Sequence, residues 1–310
     1  MATLQEKLQK DLEQAGYPAR IVSITHLEDL RKEIESLLDS GVVQKSLYQE
    51  ELKYWKFDYS SECPDAQSLV IVAMPQPIVK MRLSWQRKQH EIITPPTYDF
   101  KKHHLVTDLI EKVLEPEGYQ LKRASVPQKL LAVHSGLSEY GRNNVSYIPG
   151  YGSYCRLMSF ISDLPCTHDN WQPQPLKMMQ ACNNCQACIK NCPTKAINPE
   201  RFIINIDRCL TYWNEYPDPI PEWIDKESHN ALVGCMRCQE VCPQNAKHAQ
   251  TVIIDHPYSE EELSLILSNI EMDKLPPKLV DTLKELGHDY SYREKTFARN
   301  LQLLLDKDEK

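Results

Sequence analysis

Eleven cysteines lie along this 310-residue chain, and eight of them fall into a pattern that could hold iron. The first group is Cys182-x2-Cys185-x2-Cys188-x3-Cys192-Pro193. Two-residue gaps let a backbone wrap a cuboidal [4Fe–4S] cluster, so three thiolates reach three iron corners while backbone N–H groups point at the sulfides. The three-residue gap and the proline carry the fourth thiolate away, to a neighbouring cluster. The second group, Cys235-x2-Cys238-x3-Cys242-Pro243, is the same run without its first cysteine, and Leu232 stands in that place. One ligand must then come from elsewhere, and Cys209, between the groups, is the natural candidate. The expected sets are Cys182, Cys185, Cys188 and Cys242 for cluster one, and Cys192, Cys209, Cys235 and Cys238 for cluster two. CxxC pairs also hold zinc, but zinc has no use for the Cys-Pro ends. Cys63, Cys155 and Cys166 stand alone and read as small buried hydrophobes without an assigned role.

Two clusters make a short one-electron wire, and a wire needs two ends. Just upstream, Gly136, Gly141, Gly150 and Gly152 crowd the stretch from His134 to Tyr154, four of the nine glycines in the chain. Such crowding means tight turns, or backbone that must come close to something.

The elements that position these residues can be sketched from periodicity. Leu4, Leu8 and Leu12 mark an amphipathic helix, and Leu27 to Leu38 and Leu105 to Leu114 read as two more. The run Leu69 to Met74 reads as a buried strand. Pro75, Pro77, Pro95 and Pro96 punctuate loops, and Pro173 and Pro175 mark a linker into the cysteine zone. Leu263, Ile266, Leu267 and Ile270, then Leu279, Leu283 and Leu286, then Phe297, Leu301 and Leu304 predict terminal helices. The expected class is α+β. It comprises a mixed α/β domain over 1–170, a ferredoxin-like double-cluster domain over 171–253, and a short helical tail over 254–310.

Composition narrows the setting. Hydrophobic residues make up 41% and charged residues 25%, with a formal charge of -7, ordinary for a soluble globular chain. No run of about 18 apolar residues offers a membrane span. The N-terminus has no apolar core of a signal peptide, so a cytoplasmic, thiol-preserving setting is expected. Binding to nucleic acid is unexpected, because gripping phosphates favours a basic surface. The segment 254–310 carries 8 Lys/Arg against 13 Asp/Glu.

The double-cluster block, Pro219-Ile220-Pro221-Glu222, and the ending Gly234-Cys235-x2-Cys238-Gln239-x-Val241-Cys242-Pro243-x-Asn245 resemble the epoxyqueuosine reductase family. So do Ser135-Gly136-Leu137, Gly141-Arg142-Asn143-Asn144, Gly152-Ser153-Tyr154 and Ser162-Asp163-Leu164-Pro165. That family, with its reductive dehalogenase relatives, sets a base-off cobalamin beside two [4Fe–4S] clusters. Electrons pass through the clusters to cobalt, which drives a reductive elimination. The resemblance implies the cluster assignment above and a nitroreductase-related cobalamin-binding domain. It implies corrin contacts at Tyr140, Gly141, Arg142, Asn143, Asn144, Gly152, Ser153 and Tyr154, and after Cys209 at Thr211 and Tyr212. An external donor such as ferredoxin or flavodoxin is implied as partner.

The chain also departs from that pattern. The family's proton-donating aspartate lies in a Val-Asp-Thr/Ser-Ala-Pro element, where this chain has Lys122-Arg123-Ala124-Ser125-Val126-Pro127, with no carboxylate. The usual Trp-Ile-Gly-Lys becomes Glu139-Tyr140-Gly141-Arg142, and the C-terminal helical repeat is shortened. A small organic substrate is therefore expected rather than tRNA. Tyr98 and Tyr140 are the candidate proton donors, with His103, His104 and His134 as imidazole candidates and Cys155 behind them. The competing expectation is an electron-transfer protein, or a reductive activator of another protein's corrinoid.

Overall fold

The structure is a computed structural model and describes residues 3–43, 53–95, 103–173, 175–288 and 294–307. Its elements in chain order are α1 (Leu4–Gln14), β1 (Ala19–Ser23), α2 (His26–Asp39), β2 (Ser68–Pro75), β3 (Ile78–Trp85), β4 (Lys88–Thr94) and α3 (His103–Leu114). Then come β5 (Leu121–Arg123), α4 (Gln128–His134), β6 (Glu139–Tyr140), β7 (Ser146–Tyr147) and β8 (Cys155–Ser162). After these come α5 (Ala187–Asn191), α6 (Leu210–Glu215), α7 (Arg237–Glu240), β9 (Thr251–Asp255), α8 (Glu260–Leu267), α9 (Pro277–Glu285) and α10 (Glu294–Leu305). The chain forms two compact units, Met1–Pro75 with His103–Asn184, and Gln76–Lys102 with Cys185–Lys310.

The first unit is built on an antiparallel sheet in the order β1-β2-β8-β5. The apolar run of β2 is buried from Ser68 to Met74, as expected of a central strand covered on both faces. On one face Val70, Val72 and Met74 pack with Leu8 and Leu12 of α1 and Val106 and Ile110 of α3. Thr3 starts α1 with a reciprocal capping box to Glu6, which satisfies two otherwise orphaned donors. Gln5 is buried yet fully engaged, donating to His168 O at 2.6 Å and accepting from Thr167 and His168 N–H.

The residues just before the linker expected at Pro173 and Pro175 are tied down within this unit. His26 bonds Asp29 at 2.6 Å and Asp169 at 2.8 Å, and its ring stacks on Trp171 at 4.2 Å. His134 reaches Glu33 at 2.6 Å and Gln172 O at 3.1 Å. Two histidine rings, His26 and His134, give residues 169–172 contacts that their proline-rich continuation does not advertise.

In the second unit β3 and β4 form a hairpin through Gln86 and Arg87, both at positive φ (50° and 66°), the conformation of a two-residue primed turn. β9 adds in parallel to β3. Met81, Leu83 and Ile92 of this sheet share a core with Leu263 and Ile266 of α8, Leu279 and Leu283 of α9, and Leu301 and Leu304 of α10. These contacts group the chain differently from sequence boundaries at 170 and 253. The apolar stripes of the terminal helices need a partner surface, and the hairpin face supplies it. Among the described residues no helix is long and apolar enough to cross a membrane.

Candidate functional site

Short local elements present the cysteines. In the second unit Cys185 and Cys235 each precede a helix of one turn, α5 and α7, which pack against each other. Asn191 Nδ2 donates to Arg237 O at 2.6 Å and fixes that pair. Cys192 and Cys242 are each followed by proline, which ends the turn and removes a competing N–H. None of the eleven cysteines is in a disulfide.

Three cysteines assigned to cluster two lie within electrostatic reach of one another. Burial pushes the Cys235 thiol up to about 11, with smaller upward pushes from Cys209 and Cys192. Burial also raises Cys209, and Cys192 adds to the rise, while bonds from Thr211 and the Tyr212 N–H oppose it. Burial of this kind favours the neutral thiol, so thiolate ligation at these positions would need a positive charge beside it, as bound iron would supply. N–H donors already face the sulfurs: Ala196 N to Cys192 Sγ at 3.3 Å and Asn230 Nδ2 to Cys235 Sγ at 3.2 Å. Donors of this kind favour thiolate and tune cluster potential. Among the described residues no three His, Cys, Asp or Glu side chains form a group tight enough to hold a single metal ion.

The position left by the missing cysteine is occupied for a packing reason. Leu232 is 2% exposed and belongs to the apolar core of the second unit. Its N–H donates to Ile93 O at 2.8 Å, next to the hairpin.

The glycine-rich segment of the first unit folds as a small hairpin of β6 and β7. Gly141 N donates to Val145 O at 2.9 Å, and Asn144 turns the chain at φ 55°. A Cβ on Gly141 would collide with the Tyr147 ring and with Asn143 Oδ1, so the ring's close approach explains this glycine. Gly152 takes φ 70° and bridges back to Ile148. Ser153 and Tyr154 are buried as the chain enters β8. The turn reaches a cluster cysteine directly. Arg142 N donates to Cys182 Sγ at 3.4 Å, and Arg142 Nη2 donates to Cys182 O at 2.8 Å. Both residues are at least nine-tenths buried. Sequence reasoning assigned Arg142 to the corrin and gave it no part in holding a cysteine.

Three buried polar atoms of this segment, Ser138 Oγ, Arg142 Nε and Ser146 Oγ, have no hydrogen-bond partner among the described residues. Most buried polar atoms in folded proteins are paired, and these three lie close together in sequence. A polar cofactor against this hairpin fits them. Thr211 and Tyr212 lie in α6, where the bonds just described engage them with Cys209, and Tyr212 stacks on Tyr216 at 5.3 Å.

The proton-donor candidates separate physically. Tyr98 lies outside the described residues. The Tyr140 phenol is buried, and burial with nearby Glu33 raises its pKa, holding it protonated. Burial would lower His134, but its bonds to Glu33 and Gln172 O lift it above the ordinary histidine value. His103 is pushed down to about 4 by burial, with Arg156 and Arg123 adding to the drop, which favours the neutral ring over the imidazolium at neutral pH. His104 is exposed. Burial pushes Cys155 up to about 12. The carboxylate-free stretch 122–127 is pinned: Ala124 N donates to Ser159 O at 2.9 Å and Ser125 N to Tyr59 Oη at 2.6 Å.

Residues 181–245 match the family described as the 4Fe-4S double cluster binding domain. The epoxyqueuosine reductase of Bacillus subtilis (strain 168) is 26% identical over 204 residues, 59% of this chain and 48% of that protein. A solved structure of the Bacillus subtilis enzyme, with its catalytic aspartate loop swung out of the active site, matches with TM-score 0.68 at 22% identity. It covers 97% of this chain and 81% of that chain. A crystal structure of epoxyqueuosine reductase with an epoxyqueuosine-modified tRNA-Tyr stem loop matches with TM-score 0.66 at 22% identity, covering 97% and 80%. The chain spans about half the length of the first curated relatives it matches, whereas the likeness of fold extends over most of the solved chains.

Proposed function

We propose, from the premise that this chain belongs to an epoxyqueuosine reductase-like family, that it is an oxidoreductase carrying two [4Fe–4S] clusters and cobalamin. Two bound clusters would supply one-electron transfer, with an external ferredoxin- or flavodoxin-type protein as the donor. Cobalamin supplies the strongly reducing metal centre. Cluster one takes Cys182, Cys185, Cys188 and Cys242, and cluster two takes Cys192, Cys209, Cys235 and Cys238. The observation that carries the reductase reading over a simple electron carrier is the Arg142–Cys182 contact. It ties the hairpin with three unpaired buried polar atoms to the first thiolate of the cysteine run.

Within the first unit, Tyr140 to Asn144 and Gly152 to Tyr154 bind and orient the macrocycle. Tyr140 holds a proton for the reaction, and His134 can restore it, because Glu33 stands beside both. This arrangement substitutes for the carboxylate absent from 122–127. The substrate reading is a small organic molecule. It rests on that missing carboxylate and on the 13 acids against 8 bases of 254–310. A tRNA substrate is the second reading, favoured by the stem-loop complex of a similar fold.

The test is anaerobic reconstitution with iron and sulfide, addition of hydroxocobalamin, desalting and a spectrum. Retention of cobalt with about eight irons per chain is the expected result. Cobalt that washes through while cluster absorption stays would leave the electron-carrier reading. Queuosine formation in a strain lacking its own reductase decides the substrate: rescue would establish tRNA and sink the small-molecule reading.

A further inference from the structure

The last helix does more than close the core of the second unit. α10 sends Leu301 and Leu304 into that core, and its neighbouring edge presents Arg299 and Asn300 to backbone carbonyls. Asn300 is 1% exposed. Its Nδ2 donates to Asn214 O at 2.8 Å and to Leu232 O at 2.9 Å. The Arg299 guanidinium donates to Trp213 O and Tyr216 O, each at 2.9 Å, and to Asp218 O. Asn214, itself fully buried, donates through Nδ2 to Gly234 O at 2.7 Å.

These carbonyls belong to two segments only. One is the end of α6, the helix that Cys209 begins. The other is Leu232 to Gly234, which runs directly into Cys235. The last carbonyls of a helix have no partner of their own, and here a distant helix supplies the donors. At the chain's far end Lys307 Nζ donates to Glu227 O and His229 O. Those carbonyls precede Asn230, whose side chain reaches Cys235 Sγ. Both thiolates are thus held from outside the cysteine motifs, by one amide that bonds to each segment.

We propose that Asn300, supported by Arg299 and Asn214, is a positioning residue that sets the spacing of Cys209 and Cys235 and so governs how tightly the second cluster is held. This rests on the assignment of both cysteines to that cluster. The Asn300 amide does for cluster two what a fourth cysteine in the motif would do by sequence spacing.

The test uses the full chain, reconstituted anaerobically, as Asn300→Ala, Arg299→Gln and Cys209→Ser. Cys209→Ser identifies the signals of cluster two by their loss. In Asn300→Ala that cluster should release iron to a chelator about tenfold faster or more, the scale of two buried hydrogen bonds. Its reduced-state resonance and potential should shift, while those of the first cluster stay at wild-type values. Arg299→Gln keeps both Asn300 Nδ2 bonds but removes the Arg299 Nε bond to Asn300 Oδ1, and should show the same selectivity at smaller size. It decides the matter if Asn300→Ala does not fold. Wild-type release from both clusters, or equal acceleration of both, overturns the proposal. Full iron content in Cys209→Ser would instead sink the cluster assignment itself.

Discussion

The two cysteine groups share a local plan and differ in how the leading ligand is supplied. Each has a one-turn helix after a CxxC pair and a Cys-Pro ending. In the first group the leading cysteine, Cys182, is present and is gripped by Arg142 from a hairpin within its own unit. In the second, the equivalent position is Leu232, sunk in an apolar core. Its duty falls to Cys209, whose helix is capped by residues almost ninety positions downstream. A spacing motif therefore fixes only the ligands whose backbone it contains. A borrowed ligand needs a scaffold of its own.

The sharpest way to break this comparison is to exchange ligands across the groups. Cys242 sits in the second group but is assigned to cluster one. Cys242→Ser should therefore leave the same remaining resonance as Cys182→Ser, each holding about four irons. Cys192→Ser and Cys209→Ser should leave the other resonance. A Cys242→Ser spectrum that matches Cys235→Ser instead would mean that each group holds its own cluster.

A smaller effect is expected from restoring the missing letter of the motif. Leu232→Cys rebuilds the full run in sequence, but Leu232 belongs to the apolar core that also holds Met81, Leu263 and Leu301. The substitution should cost about 1–3 kcal/mol through the lost apolar volume, read as a lower unfolding midpoint. In a Cys209→Ser background it should not bring cluster two back. Return of the lost resonance would show that Leu232 can swing to the site, and that sequence spacing outweighs packing.

How much of this was legible in the residues follows the same line. The strand at Leu69–Met74 and the terminal helices could be read, because each depends on spacing inside one segment; the two cysteine runs were proposed as ligands on the same ground, and Cys209 only because one ligand was missing. The β3–β4 hairpin was not read, although Lys80, Arg82 and Ser84 alternate with Met81 and Leu83, the two-residue period of a half-buried strand. Its prolines and its turn through Gln86 and Arg87, with no glycine, hid it. Arg142, Asn214 and Asn300 were beyond reach as supports. Each acts on carbonyls that a linear pattern cannot name, and one buried amide in a helix gives no sign of the backbone it will meet.

The smallest effect concerns how the two supports respond to pH. Asn300 and Asn214 carry no titrating group. The strap Asp169–Gln172 in the first unit is held by His134, whose two ring nitrogens both face acceptors, Glu33 Oε2 and Gln172 O. Satisfying both requires the imidazolium, because a neutral ring has one N–H. Burial opposes that charge, but the Glu33 and Gln172 bonds outweigh it and raise the pKa above the ordinary value. A raised histidine stabilises the fold fully below its unfolded-state value, about 6.5, and the benefit is lost as pH climbs through the folded-state value. His103 has the opposite sign: its depression to about 4 makes stability fall as pH drops from 6.5 toward 4, so wild type alone mixes the two. The difference between wild type and His134→Gln isolates the first, since His103 is common to both. The gap in unfolding midpoint should be widest just below pH 6.5, on the order of 1–2 kcal/mol for a charge-assisted bond, and should narrow at alkaline pH. Cluster-two iron release in Asn300→Ala should keep the same ratio to wild type across that range. A gap that widens with pH would mean that His134 is held neutral, and that the strap is fixed by Trp171 packing alone.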